Sequence, residues 1–446
     1  MAPRLFGTDG VRGTAGVAPL DPPTVRRIGA AIVKAQDPGE GPVSLLIGRD
    51  TRESGVWIER ELAHGARLMG ATVETVGVLP TPAIAYFAKT TDISLGAVIS
   101  ASHNPFEDNG IKVFSGAGHK FTEERERQVE QAVADPSWHI DEHAAPAVAE
   151  VDRRALYLAH LRDMLPDPGS LRGARLVVDC ANGATTTVAP GLFESLGFDV
   201  TLIGTEPDGR NINRGVGSTH PREMADAVTR VGAIGGVAFD GDGDRAIFAD
   251  ECGHVVDGDA VMLMCAKQLK AEGRLRGNTV VATVMSNIGL EIALRETGIA
   301  LRRTQVGDKY VMEELLRDGF SLGGEQSGHV IFTDYLFTGD GLATALAVLG
   351  VMAKTGRRLS ALAAEMVAYP QVLVNVRVRE RKDLTTLPPV ASVMKDVEAK
   401  LSGHGRLLVR YSGTEPLVRI MLEGRDRDEI AGWANEIAAA VKHELS

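Results

Sequence analysis

The stretch DGDGDR, residues 240–245, sets Asp240, Asp242 and Asp244 on alternate positions with glycines between them, directly after an apolar run. Three carboxylates so close repel one another unless a cation neutralises them. Hard oxygen donors on a loop able to wrap one ion suit Mg²⁺ or Ca²⁺, not zinc. An EF-hand spaces its acids in the same way and would end on Glu251. It requires glycine where this chain has Arg245, however, and helices where the flanks here look like strands. The spacing therefore predicts a loop for one Mg²⁺ that leaves positions open to phosphate oxygens. Arg245 stands ready to orient the carboxylates or to touch that phosphate.

Five more polar clusters sit on small-residue backbone. SASHNP (100–105) follows the strand-like Ala97-Val98-Ile99 and presents Ser100, Ser102 and His103, with Lys112 ten residues on from Ser102. By itself it reads equally as a nucleophile loop or as a turn made rigid by Pro105. RYSGTEPLVRIM (410–421) gathers Arg410, Ser412, Thr414 and Arg419 around Gly413, a good oxyanion cradle. GGEQSGH (323–329) places Glu325, Ser327 and His329 on a glycine-rich loop where they could bind sugar hydroxyls, or simply form a turn. RTQVGDKYV sets Asp308 and Lys309 after Gly307, and FGTDGVRG puts Thr8, Asp9 and Arg12 among glycines.

The elements that must carry these clusters share one grammar. VSLLIGRD (43–50), ARLVVDCANG (174–183) and NTVVATVMSN (278–287) are apolar strands that end in polar turns, each followed by a helix-like stretch and a second strand. That order is a βαβ unit with parallel pairing. The expected fold is α/β: three related domains with mixed, largely parallel sheets, plus a smaller C-terminal α+β domain. Boundaries are placed to give domains 1–150, 151–253, 254–369 and 370–446. Ligand sites in open α/β sheets collect at the carboxyl ends of strands, where each cluster falls.

The composition agrees. A chain of 446 residues, 44% hydrophobic and 24% charged, is an ordinary globular protein of several domains. Its net charge of −11, with no basic block, argues against nucleic acid as a partner. Cys180, Cys252 and Cys265 show no Cys-x-x-Cys spacing, which fits a reducing compartment. No apolar run approaches the roughly 20 residues of a membrane span, so a cytoplasmic chain is expected.

Taken together, SASHNP, DGDGDR, GGEQSGH and RYSGTEP resemble, in order and spacing over essentially the whole chain, the α-D-phosphohexomutase superfamily. Within it, FGTDGVRG, FEDNGIK and RTQVGDKYV look like the bacterial branch that acts on glucosamine phosphates; phosphomannomutase/phosphoglucomutase relatives usually differ there and are the alternative. The resemblance implies four domains around a central cleft and an isomerase that interconverts glucosamine 6-phosphate and glucosamine 1-phosphate through a 1,6-bisphosphate, toward UDP-N-acetylglucosamine and peptidoglycan. It implies activating phosphorylation of Ser102, with Mg²⁺ held by Asp240, Asp242, Asp244 and an oxygen of that phosphoserine. Arg12, His103, Lys112 and Arg245 would surround the transferred phosphoryl group. Glu325, Ser327, His329 and Lys309 would face the sugar, and Arg410, Ser412, Gly413, Thr414 and Arg419 the other phosphate. Relatives are often dimers, but no self-complementary stripe in the sequence shows such a face. A Mg²⁺-dependent phosphatase would not need the second phosphate cradle, and a Ca²⁺- or phosphosugar-sensing protein would exchange no phosphate with Ser102.

Overall fold

The structure, a computed structural model, describes residues 4–7, 9–36, 41–140, 147–401, 403–412 and 416–445. Thr8, Gly413 and Thr414 lie outside the described residues.

The first segment runs β1 (Val11–Thr14), α1 (Pro22–Lys34), β2 (Ser44–Arg49), α2 (Gly55–Leu68), β3 (Thr72–Val78), α3 (Thr81–Thr90), β4 (Leu95–Ile99), β5 (Asp108–Ser115) and α4 (Glu123–Ala134). Its sheet has the order β1-β5-β4-β2-β3. Strands β3, β2 and β4 are parallel, and β5 turns back antiparallel to β4. The second segment comprises α5 (Arg154–Arg162), β6 (Arg175–Asp179), α6 (Ala189–Ser195), β7 (Asp199–Ile203), α7 (Arg222–Val231), β8 (Gly235–Phe239), β9 (Ala246–Asp250) and β10 (Val255–Val256). Its order, β10-β9-β8-β6-β7, repeats the scheme: parallel strands first, then an antiparallel return.

The third contains α8 (Gly258–Ala271), β11 (Thr279–Thr283), α9 (Ile288–Glu296), β12 (Ala300–Thr304), α10 (Asp308–Asp318), β13 (Leu322–Gly324), β14 (Val330–Phe332), α11 (Gly341–Thr355) and α12 (Leu359–Ala363). The sheet order is β12-β11-β13-β14. Last come β15 (Gln371–Arg377), α13 (Pro388–Leu401), β16 (Arg406–Tyr411), β17 (Leu417–Glu423) and α14 (Arg427–Leu445), whose three strands are all antiparallel. The α/β class with a smaller C-terminal α+β part is therefore present. Two compact units are formed: Met1–Met285 with Ile299–Glu365, and Ser286–Gly298 with Met366–Ser446. Helix α9 belongs to the second unit, where the Asn287 amide donates to Tyr369 O at 3.0 Å and accepts from Tyr369 N at 2.9 Å. No described helix is long and apolar enough to cross a membrane.

Central strands explain the apolar runs. Every residue of β4, β8 and β11 is buried, as strands covered on both faces must be. A 3.3 Å rise per residue carries each chain straight through the core, so its polar cluster emerges at the carboxyl end. The helical stretch 342–367 is broken by Gly356, whose left-handed conformation closes α11.

Packing of the first core hinges on close contact between α1 and α2. A Cβ on Gly65 would stand 1.8 Å from Arg26 O, and one on Gly29 2.1 Å from Leu62 O. The two backbones meet there with no room for a methyl group. Gly65→Ala is expected to force the helices apart and cost at least the ~1–3 kcal/mol typical of overpacking, read as a lower thermal midpoint. An unchanged midpoint would show that the crossing yields freely.

A second contact is titratable. Asp340 caps α11 through Ala343 N (3.0 Å) and accepts the Tyr157 hydroxyl at 2.8 Å, tying α5 to α11. Burial pushes the Asp340 carboxyl up to about 6 despite these two donors. In the unfolded chain it titrates near ~3.9. The native state thus holds the proton more tightly, and the stability Asp340 contributes is full below the unfolded value and lost as pH rises through about 6. Asp340→Asn does not titrate. Its thermal midpoint relative to wild type should improve between pH 4.5 and 7.5, by up to ~2 kcal/mol in stability; a pH-independent difference would contradict this.

Candidate active site

The loop after β4 is held in an unusual shape. Ser102 has φ +53°, a left-handed conformation that side chains other than glycine rarely adopt. Its carbonyl accepts from the Arg52 guanidinium at 3.0 Å and the Asn213 amide at 2.9 Å, and its N–H donates to Ser100 Oγ at 2.9 Å. Ser100 Oγ in turn donates to Asp50 at 2.6 Å, the carboxylate that also pairs with Arg52 at 2.9 Å. Fully buried Arg52 also reaches the carbonyls of Asn104 (2.8 Å), Asp108 (3.1 Å) and Pro105. One guanidinium thus gathers the whole turn.

The loop after β8 meets it directly. Ser102 Oγ donates to Asp240 at 2.5 Å. Glycine at 241 is required by this approach, since a Cβ there would lie 2.5 Å from Ser102 O. Asp240, Asp242 and Asp244 are buried and close enough for one ion to reach a carboxylate oxygen of each. Their charge is offset by Lys112, nearly fully buried, at 2.8 Å from Asp242, 3.1 Å from Asp244 and 2.9 Å from Asp9. Burial opposes the Lys112 charge, yet the three carboxylates hold its pKa well above the usual lysine value. Asp240, farther from that ammonium, is pushed well up by burial and by Asp244 and Asp242.

The oxygens fit a hard divalent cation. Asp242 Oδ1 is buried with no hydrogen-bond partner, and Asp244 Oδ1 has only longer contacts, to His329 (3.6 Å) and Arg245 (3.8 Å). Thr81 fixes the other Asp242 oxygen at 2.6 Å, and Arg245 N–H fixes Asp240 Oδ1 at 3.1 Å. An all-oxygen donor set around a serine hydroxyl leaves the remaining positions to water or phosphate.

The remaining groups of the first unit divide. His103 Nδ1 lies 3.4 Å from Ser102 Oγ. Burial, with the Arg245 and Arg12 charges, pushes this ring down to about 4. Arg12 pairs with Asp9 at 2.6 Å and so joins the cluster through that carboxylate. Lys120 bridges Asp9 (2.5 Å) to Asp308. His329 is placed differently from an exposed loop residue. It is buried, its Nε2 accepts Gly339 N–H at 3.0 Å, and its Nδ1 faces Asp244. Burial opposes its charge, but Asp244 and Asp308 raise its pKa. Glu325 accepts Gly307 N–H at 3.1 Å, while Ser327 is exposed. Lys309 turns to Glu126 at 3.1 Å on α4 rather than to the Glu325 loop.

In the second unit, Arg410 on β16 stands directly opposite Arg419 on β17. Arg419 also reaches Ser412 Oγ at 3.4 Å. Like charges opposed across an antiparallel ladder destabilise it, so an anion at this place would relieve the pair.

The sequence did not single out Arg52, Asp50, Asn213, Thr81 or Lys120. GRDTR does follow an apolar strand, which is the one available signal for Asp50 and Arg52. Asn213 lies in an irregular segment with no periodicity to mark it.

Comparison with known proteins covers the whole chain. Domains I, II and III of the phosphoglucomutase/phosphomannomutase alpha/beta/alpha type match residues 3–139, 155–253 and 257–369, and the family's C-terminal domain matches 373–440. The phosphoglucosamine mutase of Geotalea daltonii is 48% identical over 99% of this chain and 98% of its own length. That of Bdellovibrio bacteriovorus is 44% identical over 99% of both. A phosphoglucomutase/phosphomannomutase family protein of Burkholderia thailandensis superposes with TM-score 0.79 at 25% identity, covering 98% of this chain and 97% of that one. The Paramecium phosphoglucomutase parafusin shares the fold, with TM-score 0.74 at 16% identity over 99% and 96% of the two chains.

Breaking a buried ion pair typically costs ~3–5 kcal/mol. Lys112→Met is therefore expected to lower the thermal midpoint in EDTA, and Mg²⁺ should raise the variant's midpoint more than wild type's. Equal responses to Mg²⁺ would show that Lys112 does not offset the charge of the three aspartates.

Proposed function

Because the chain belongs to the phosphoglucomutase/phosphomannomutase family, we propose that its buried Ser102, set against Asp240, is the phosphoryl carrier of a phosphoglucosamine mutase. The observation that carries this reading is the 2.5 Å contact between Ser102 Oγ and an acidic loop with unpartnered oxygens. It is joined to 48% identity over the whole chain with phosphoglucosamine mutases.

The substrate is glucosamine 6-phosphate and the product glucosamine 1-phosphate. The enzyme works in the cytoplasm, consistent with three scattered cysteines. Its domains divide at 150, 253 and 369. The active form carries phosphate on Ser102. Asp240, Asp242 and Asp244 hold Mg²⁺, which when bound neutralises the phosphoryl oxygens.

In the first transfer the Ser102 Oγ–P bond breaks, a bond forms to the free sugar hydroxyl, and the hydroxyl proton goes to His103. Its Nδ1 lies 3.4 Å from Ser102 Oγ, whereas the nitrogens of Lys112 and His329 are already engaged elsewhere. In the second transfer the bond from phosphorus to the other sugar oxygen breaks, Ser102 Oγ takes that phosphoryl group, and His103 returns its proton to the freed sugar oxygen. Arg245 and Arg12 stabilise charge on the transferring group. Glu325 and Ser327 bind sugar hydroxyls, with His329 and Lys309 supporting that face. Arg410, Ser412, Gly413, Thr414 and Arg419 grip the phosphate that is not reacting.

Intact mass of the purified chain tests the carrier. Wild type incubated with glucosamine 1,6-bisphosphate should gain one phosphoryl group and Ser102→Ala none, with the variant's turnover falling by at least ~10³-fold. Full turnover by the alanine variant would overturn the assignment.

A further inference from the structure

The far end of β9 carries a second cluster of ligating atoms. Strand β9 runs from Ala246, beside the acidic loop, to Asp250, so this end lies at the opposite end of the strands from Asp240–Asp244. The tight connection from β9 to β10 reads Asp250-Glu251-Cys252-Gly253-His254. A carboxylate oxygen, the thiol and an imidazole nitrogen, from Asp250, Cys252 and His254, all lie within 4.8 Å of one another.

The turn is built to hold them there. Asp250 is buried, and its Oδ1 accepts the N–H groups of Cys252 and His254, both at 2.9 Å. Backbone bonds Asp250 N to His254 O and Gly253 N to Asp250 O, both 2.9 Å, close the loop. Glu251 is turned away and anchored to Ser360 N (3.2 Å) and Oγ (2.5 Å), so it does not compete. These contacts leave Asp250 Oδ2 facing His254 Nδ1 at 3.3 Å. Two nitrogen or oxygen ligands about 2.05 Å from a tetrahedral zinc-class ion also stand about 3.3 Å apart. Cys252 is the one exposed thiol of the three, since Cys180 and Cys265 are buried.

We propose that Asp250, Cys252 and His254 form a three-ligand site for a zinc-class divalent ion, with a fourth position open to water. The ligand set, one thiolate, one imidazole and one carboxylate, suits Zn²⁺ or Co²⁺ and not the hard cation of the acidic loop. Binding takes Cys252 as thiolate and His254 through a neutral Nδ1, so the Cys252 proton leaves to solvent and affinity rises with pH. The ion would bridge the two ends of the hairpin and fix Cys252 and His254 in place. Nothing in the phosphoryl chemistry requires this site, and its loss should spare the mutase reaction.

The test uses the full chain, stripped with a chelator and kept reduced with a phosphine, in saturating Mg²⁺ so that the acidic loop is filled. Titration with Co²⁺ should give one equivalent of thiolate-to-cobalt charge-transfer absorption and the visible bands of a tetrahedral ion, and Zn²⁺ should displace both. Cys252→Ser and the surface change His254→Ala should each abolish the charge-transfer band or weaken Zn²⁺ binding by ~10–100-fold, with thermal midpoint in chelator and mutase turnover unchanged. Absence of the band in wild type, or its persistence in Cys252→Ser, would overturn the proposal.

Discussion

One buried ammonium sets the terms for the site. Lys112, nearly fully enclosed on β5, touches Asp9, Asp242 and Asp244 within 3.1 Å. Without it, three further charges would stand beside Asp240 in a region where a solitary ion costs several kcal/mol. The carboxylates in turn hold the lysine charged against its own burial. This mutual dependence joins the loop after β8 to the sheet of the first segment. It also leaves the acidic oxygens paired on one side and open on the other, as a cation site requires. Asp9 extends the arrangement to Arg12 and, through Lys120, to Asp308 at the head of α10.

The same charges sort two histidines into opposite roles. His103 lies among guanidiniums, and burial with Arg245 and Arg12 drives its proton off at neutral pH. His329 lies among carboxylates, and Asp244 and Asp308 raise its pKa against the opposing effect of burial. Both are histidines beside a glycine- or serine-rich loop, and both are candidates for moving a proton. Only their neighbours in space separate them, and those neighbours come from other segments of the chain.

That distinction marks how far the sequence could be followed. The βαβ grammar, the α/β class and the smaller α+β tail were legible because buried central strands such as β4, β8 and β11 must be apolar throughout, and polar loops must follow them. The acidic loop stood out because repulsion and spacing are local properties, whereas Ser102 was separated from an ordinary turn only by the family resemblance. Arg52 was not legible. Its work is to bind carbonyl oxygens some fifty residues away, and carbonyl oxygens belong to every residue, so no side-chain pattern announces them. Asn213 holds the same carbonyl from the irregular connection between β7 and α7. The membership of α9 in the C-terminal unit was hidden for a similar reason, since its ties there run through backbone atoms, as where the Asn287 amide meets Tyr369.

The grip on Ser102 also constrains what the substrate must do. The serine carbonyl is held by Arg52 and Asn213, its N–H by Ser100 and its hydroxyl by Asp240. Its left-handed backbone costs on the order of 1 kcal/mol, and the surrounding bonds over-determine it. Under the function proposed above, a serine fixed at so many points does not swing between two hydroxyls on opposite ends of one sugar. In-line transfer tolerates little displacement, since a shift of about 1 Å can cost ~100-fold in rate. Reaction at both ends with one stationary serine is therefore possible only if the sugar bisphosphate itself turns over between transfers. In the C-terminal unit, the cross-strand pair Arg410 and Arg419 sets two cations opposite each other on one ladder, a charge that a bound anion would offset.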